Sequence, residues 1–377
     1  MSLFRTDDQT QFAESLGRTL AGFGDGAQRR RVRATPAGFA EEHWRALADL
    51  GVLGLLVDEA HGGTGGTMAD VAVVMDAIGR HLWAGPYLAT GVLGALVLAE
   101  AAPALRDATL PDLVAGRHRL AFALVEPQAR YDLADVTTRA RRDGAGWRLD
   151  GAKALVAYGE AANTLIVPAR TGGGHTEAAG IGVFLVPAKA AGIERRGYGT
   201  IDGLRACDVT FEGVKLGAEA AVGDPGGGFD LLDRVVDWGT AALLPEAVGA
   251  MTYLYETTLA YLKTRKQFGA TLGSFQALQH RMVDVFTQVE FARSMAGVGR
   301  LALDAAAAER RREVSAAKLY VDRAARHVAQ ESIQLHGGMG MTDELDVGHY
   351  AKRLTMIGLT FGDRGYHMAR YRAARAA

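Results

Sequence analysis

Two helical patterns meet at Thr264-Arg265-Lys266-Gln267-Phe268-Gly269. Before that stretch Leu244, Val248, Met251, Tyr255, Leu259 and Leu262 recur every three or four residues, and after it Phe275, Leu278, Met282, Val285, Val289 and Ala292 do the same. That spacing places each set on one face of an α-helix, so the chain is expected to double back there as an αα-hairpin. The corner has a purely structural reading. Arg265 and Lys266 complement the negative end of a helix dipole, and Gly269 supplies the left-handed residue past the cap. A cationic pair, an aromatic ring and a glycine gathered at one helix end also make a group able to meet a ligand.

The chain has 377 residues, enough for two or three layers or subdomains and a large core. Its 42 basic and 43 acidic side chains nearly cancel. The longest single-sign block is Arg29-Arg30-Arg31-Val32-Arg33, read as a solvated helix end, so nucleic acid is not expected as the main partner. Cys207 is the only cysteine and cannot close an internal disulfide, and Met1–Asp8 lacks the charged-then-apolar plan of a signal peptide. A cytoplasmic location is expected. The most apolar window, Ala89–Ala99, is ended by Glu100 and Pro103 and falls short of the roughly 20 residues that cross a bilayer, so no membrane span is read.

Three regions follow one another. Residues 1–118 read as mainly helical, with Phe39, His43, Trp44, Leu47 and Leu50 spaced for one buried stripe and Val71, Val74, Met75 and Ile78 for another. Between them His61-Gly62-Gly63-Thr64-Gly65-Gly66 imitates a phosphate loop, but Thr67-Met68 stands where such a loop needs lysine and a hydroxyl residue. Residues 119–224 carry short β-type runs: Leu120–Val125, Trp147–Leu149, Leu165–Val167, Val183–Val186 and Val209–Phe211, with Arg142–Lys153 read as a hairpin. Residues 225–377 return to helices, with a stripe through Ala317, Tyr320, Val321, Ala324, Val328 and Ile333 that ends at His336-Gly337-Gly338-Met339-Gly340.

Taken together, Arg265-Lys266-Gln267-Phe268-Gly269 and Gln334-Leu335-His336-Gly337-Gly338-Met339-Gly340 resemble the R-K-x-F-G and Q-x-x-G-G-x-G segments of acyl-CoA dehydrogenases. The run from Gly51 through the glycines after His61 resembles another segment of that family in part, with Asp58 and His61 where proline and tyrosine usually stand. The resemblance implies an α+β, mainly α fold: an N-terminal helical domain, a middle β-barrel-like domain and a C-terminal four-helix bundle. It implies FAD as cofactor, an acyl-CoA as substrate, an electron-transfer flavoprotein as acceptor, and an oligomer, either a dimer or a tetramer built from dimers. Arg265 and Phe268 would reach the FAD of a neighbouring subunit, and Gln334 with the Gly337 and Gly338 backbone would approach its ADP half. Val125, in the place of the threonine of a T-E-P segment, and Val156, in the strand Gly151–Ala157, would lie by the flavin. Asp363 would also lie nearer FAD than substrate.

The family's catalytic glutamate, counted without a gap from Gly337-Gly338, falls on Phe361, and the alternative site on the helix before the corner falls on Gly239. Both usual positions therefore lack a carboxylate. Desaturation between Cα and Cβ needs a base near Cα, and a carboxylate in a dry pocket suits that task. Three candidates remain: Glu246, Asp237 and Asp363. Glu246 stands about 10 Å beyond Gly239 on nearly the same helix face and is the named candidate, with a structural carboxylate near a helix start, aided by Pro245, as the competing use. The functional expectation is an FAD-dependent acyl-CoA dehydrogenase. Its alternatives are the base-free partner in a heteromeric acyl-CoA dehydrogenase, and a flavin oxidase or monooxygenase on the same fold.

Overall fold

The structure, a computed structural model, describes residues 5–376; part of Met1–Asp8, on which the leader reading rests, lies outside them. Six helices come first: α1 (Asp7–Ala21), α2 (Gly26–Arg33), α3 (Glu41–Asp49), α4 (Met68–His81), α5 (Ala95–Ala99) and α6 (Pro103–Val114). Eight strands follow: β1 (Leu120–Phe122), β2 (Arg139–Asp143), β3 (Gly146–Ala157), β4 (Thr164–Arg170), β5 (Ile181–Pro187), β6 (Ile193–Gly199), β7 (Arg205–Leu216) and β8 (Ala221–Val222). The chain then returns to helices: α7 (Phe229–Thr264), a two-strand ribbon of β9 (Lys266–Gln267) and β10 (Ala270–Thr271), α8 (Gln276–Leu301), α9 (Ala307–His336), α10 (Val347–Leu359) and α11 (Arg364–Ala376). Helices, sheet and helices in that order are the three-part fold expected from the sequence. Among the described residues no helix is long and apolar enough to cross a membrane.

By internal packing the chain forms two compact units. One gathers the chain up to Arg29, residues 72–83 and the chain from Thr240 onward; the other gathers Arg30–Val71 and Ala84–Gly239. In the second unit the sheet runs β6-β7-β3-β2-β4-β5-β8, with β1 beside β4. Its two halves, β6-β7-β3-β2 and β1-β4-β5-β8, meet in a single parallel pairing at Arg139 and Arg170. What joins them is therefore the apolar filling: Trp147 of β3 meets Phe184 of β5 edge to face at 5.2 Å, among Leu149, Val156, Leu165, Val167, Val186, Cys207, Val209 and Phe211. Full burial of such side chains is worth about 1.5–3 kcal/mol each. The expected hairpin forms with Asp143 opposite Gly146 and Gly144 at φ 62° in the turn. β6 escapes the sequence reading because Ile193-Glu194-Arg195-Arg196-Gly197-Tyr198-Gly199 is polar and only part-buried; its place comes from pairing along β7.

The glycine run after Val57 is not a phosphate loop. The amides of Gly62, Gly63, Thr64, Gly65 and Gly66 donate to the carbonyls of Glu59, Asp58, Gly54, Val57 and Leu55, which leaves no cradle of free N–H groups. Nor does the first stripe run as expected: Phe39 precedes α3 and is buried, whereas Leu50 caps its end and is exposed.

In the first unit α9 packs against α8, α10 and α11, and of its expected stripe Ala317, Val321, Ala324 and Val328 are buried while Tyr320 and Ile333 are half-buried. α7 joins this group through a parallel stack of Tyr253 on Tyr350 of α10 at 4.0 Å. Pro245 sits in the interior of the 36-residue α7, so it is not a first-turn residue. α4 crosses α7 with almost no side chain between them. A Cβ added to Gly79 would lie 1.9 Å from the Glu246 carbonyl oxygen, and one added to Gly249 would lie 2.0 Å from that of Asp76. Gly249→Ala is expected to force the helices apart and lower stability by about 1–3 kcal/mol, measured as a lower midpoint in urea at unchanged slope.

Candidate functional site

Three of the six non-glycine residues with positive φ fall within segments singled out by sequence: Leu155 (φ 54°) in the strand Gly151–Ala157, Phe268 (φ 55°) and Phe361 (φ 60°). A left-handed backbone costs such residues roughly 1–2 kcal/mol, and strain of this kind collects at functional sites.

Phe268 is the first. α7 stops at Thr264, and the corner is a two-residue β-hairpin in which Gln267 pairs with Ala270 and Lys266 with Thr271. Phe268 and Gly269 (φ 78°) are its central pair, both left-handed as a twisted hairpin turn requires. Gly269 therefore belongs to a hairpin and is not the residue beyond a helix cap. The turn leaves Phe268 89% exposed, its ring edge to face with Phe275 at 6.3 Å, and the Arg265 side chain is exposed without an ion-pair partner among the described residues.

The glycine loop is its neighbour. Tyr261, whose carbonyl accepts from the Arg265 amide, stacks on His336 at 4.4 Å, and His336 directly precedes Gly337. Gly337 adopts φ 61° and ψ −144°, a conformation reserved for glycine. Space beside both Gly337 and Gly338 is open to 4 Å, and Gln334 is exposed. The structure thus brings Arg265, Phe268, Gln334, Gly337 and Gly338 to one end of the bundle.

Phe361 lies in the turn between α10 and α11. Gly362 follows it at φ 127°, where a Cβ would lie 2.4 Å from the Tyr366 ring and 2.7 Å from His367 Nε2. Behind the turn is a buried polar group. The Lys318 ammonium donates to both oxygens of Asp322, at 2.8 and 2.7 Å, and to the Ile357 carbonyl at the end of α10, at 2.9 Å. His367 sits beside Ser315, Nδ1 to Oγ 3.2 Å. Burial, then the charges of Lys318 and Arg370, pull the imidazole down to about 3, so it is neutral at physiological pH.

Of the three remaining carboxylates, Glu246 and Asp363 are each held by a neighbouring group. Glu246 is buried and gripped by Arg353 of α10, Nε to Oε1 at 2.6 Å and Nη2 to Oε2 at 3.0 Å. A bidentate guanidinium engages both carboxylate oxygens. Asp363 caps α11, accepting the Tyr366 amide at 2.9 Å. Asp237 is fully buried within α7.

In the sheet unit Glu126 is a hub. Its carboxylate accepts from Lys153 Nζ at 2.7 Å, from the Thr137 amide at 2.8 Å and hydroxyl, from the Thr138 amide at 3.1 Å and from Gln128 Nε2 at 2.9 Å. Burial alone would raise this carboxyl, but the Lys153 ammonium and these donors hold it down at about 2. The pair pins the segment holding Val125 to β3, with the Ala154 amide bonded to the Val125 carbonyl at 2.8 Å. Next along β3 a register shift throws Leu155 outward, 51% exposed. Its amide donates to Tyr198 Oη and Asp208 Oδ1, both at 3.2 Å. Sequence reasoning missed this bulge and its Tyr198–Asp208 clasp, and the only signal was a polar strand hard to tell from a loop. The Val156 side chain is wholly buried in the sheet core, so only its backbone could meet a ligand.

Comparison with known proteins accounts for these features. The chain matches family models for the N-terminal, middle and C-terminal domains of acyl-CoA dehydrogenases over residues 6–117, 121–214 and 226–375. It is 30% identical to the mitochondrial long-chain specific acyl-CoA dehydrogenase of Sus scrofa, over 80% of this chain and 71% of that one. The chain belongs to the acyl-CoA dehydrogenase family. Among solved structures it is similar to a variant of the Tcur3481-Tcur3483 steroid ACAD, at 29% identity, TM-score 0.88 and 98% coverage of each chain. It is also similar to the ChsE4-ChsE5 complex of Mycobacterium tuberculosis, at 26% identity and TM-score 0.88 over 100% of this chain and 99% of that one. The family is one of FAD-dependent dehydrogenases, and the fit can be tested on residues. An exposed ring, an unpaired guanidinium and two open glycines suit an aromatic dinucleotide that carries phosphates.

Two outcomes follow from this geometry. Phe268→Gly is expected to leave the melting temperature of the chain unchanged or raise it, by relieving left-handed strain, while lowering the flavin retained on purification. Glu126→Gln is expected to destabilise by about 3–5 kcal/mol through the stranded Lys153 ammonium. Because the folded Glu126 carboxyl lies below its ordinary value of 4.5, its stabilisation is complete above that value and is lost as pH falls toward about 2. An acid titration of unfolding in parent and variant checks this, the parent losing more stability over that window.

Proposed function

We propose that this chain is the base-free member of a heteromeric, FAD-dependent acyl-CoA dehydrogenase. A partner chain of the same fold supplies the catalytic carboxylate, and this chain completes the partner's FAD site. The observation that carries the reading is Phe361. At the family's glutamate position the backbone keeps a left-handed turn, closed from behind by Tyr366 and His367, yet it presents a hydrocarbon ring. Glu246, the remaining named candidate, is proposed as a structural anchor, since the Arg353 guanidinium engages both of its oxygens.

This chain's residues prepare the binding of FAD. Arg265 offers a cation to the phosphates, Phe268 offers a ring face, and Gln334 with the Gly337 and Gly338 backbone allows close approach where a side chain would intrude. Held by these residues, FAD would supply the hydride acceptor for Cβ of the thioester. The Cα proton passes to the partner's carboxylate, because no free carboxylate stands at either usual place here. An electron-transfer flavoprotein is the proposed acceptor. A bulky, ring-bearing CoA thioester is the proposed substrate class, consistent with likeness to a steroid dehydrogenase and to a two-protein complex.

Anaerobic addition of acyl-CoA thioesters to the isolated, flavin-supplemented chain is expected to leave the visible flavin band intact. The same addition to the chain co-purified with its carboxylate-bearing partner is expected to bleach it, with Glu246→Gln lowering the melting temperature but not the extent of bleaching. Bleaching by the isolated chain would overturn the proposal.

A further inference from the structure

One side chain ties the loop that leaves α9 to the corner that ends α7. His336 is 3% exposed, and its ring stacks on Tyr261 of α7 at 4.4 Å and 29°. The Tyr261 carbonyl in turn receives the Arg265 amide at 2.8 Å. The glycine loop starts beside this imidazole and comes back to it. Gly337 follows directly, its amide on the Gln334 carbonyl, and a Cβ added to Gly340 would lie 2.7 Å from the Ile333 carbonyl oxygen and 3.2 Å from the His336 Cβ.

The neighbours of the ring also decide where its proton sits. Nδ1 lies 2.8 Å from the Ser332 carbonyl, which can only accept, so Nδ1 carries the hydrogen. Nε2 is buried with no hydrogen-bond partner among the described residues. A second proton would have to go there and would meet no acceptor, and an unpaired buried cation is either neutralised or driven out to water. The polar groups facing the ring are Tyr261 from α7 and Ser332 from α9, with uncharged backbone from the loop; burial lowers the pKa from 6.5 and only the Ser332 carbonyl opposes it.

We infer that His336 is a positioning residue that latches the glycine loop to the Arg265–Phe268 corner, and that taking up a proton opens the latch. The inference rests on reading this end of the bundle as an FAD site. The ring holds Gly337 and Gly338 and the corner in one arrangement before the dinucleotide arrives, which lowers the ordering cost of binding. Because the latched imidazole titrates below its ordinary value, the latch is complete above 6.5 and is lost as pH falls.

Quenching of flavin fluorescence on titrating FAD into the flavin-free full chain reads the affinity, and resonances of isotope-labelled histidine and glycine read the latch with no flavin present. The parent is expected to lose affinity below pH 6.5, by at most about tenfold per pH unit because one proton is linked. The Gly337 and Gly338 amide shifts are expected to follow the His336 titration. His336→Phe keeps a stacking ring but takes no proton, so its affinity is expected to be level between about pH 8 and 5. Tyr261→Leu is expected to weaken FAD binding at every pH by about two- to tenfold, and Tyr261→Phe to restore it, each with unchanged circular dichroism. A parent affinity that stays level or rises on acidification, a pH dependence that survives in His336→Phe, Tyr261→Leu binding as tightly as the parent, or glycine amides that ignore the His336 titration would overturn the inference. A parent that binds no flavin while its glycine amides follow His336 would sink the FAD reading and leave the latch standing.

Discussion

The Lys318 ammonium holds the turn that matters most. It is fully buried, all three of its donors are used, and one of them fixes the last turn of α10 through the Ile357 carbonyl. Burial lowers the pKa of this lysine while Asp322 opposes the shift. The pair's value is positional, since buried ion pairs as a class add little net stability. With the end of α10 fixed from below and Asp363 capping α11, the chain between them is confined to the left-handed path through Phe361 and Gly362. An aromatic ring stands on that path, at the position where the sequence resemblance expects a carboxylate.

Strain follows the same logic elsewhere. Leu155 is held outward by the Tyr198–Asp208 clasp, and Phe268 by a two-residue ribbon. In each case hydrogen bonds from neighbouring groups over-determine a conformation that the residue itself disfavours. Preorganisation of this sort lowers the ordering cost of binding, because the exposed groups are placed before the ligand arrives.

Much of this was legible in the chain. The helix stripes of α4, α7 and α9, the hairpin turn at Gly144 and the absence of a phosphate loop follow from period and from turn chemistry. The pairing of Arg265–Gly269 with Gln334–Gly340 pointed to one site, and the Tyr261–His336 stack shows why the two segments are neighbours. What could not be read depends on tertiary partners. Nothing near Glu246 in sequence announces Arg353, so its engagement was invisible. The Pro245 reading failed because a long helix can carry an interior proline when packing on its neighbours outweighs the lost bond. The β3 bulge leaves no composition signature, since a register shift is a property of two strands rather than one.

The close approach of α4 and α7 at Gly79 and Gly249 bears on how the molecule is made. α4 emerges early in synthesis, yet the helix whose backbone it must touch is completed only after the whole sheet region has been translated. At roughly 5–20 residues per second that interval is on the order of ten seconds. During it the apolar face of α4, with Val73, Val74, Met75 and Ile78, has no permanent home. The sheet can fill its own core in that time, but the bundle cannot begin in earnest until α7 is available. Biogenesis of this chain should therefore be most vulnerable midway, when its earliest helices are finished and their counterpart does not yet exist.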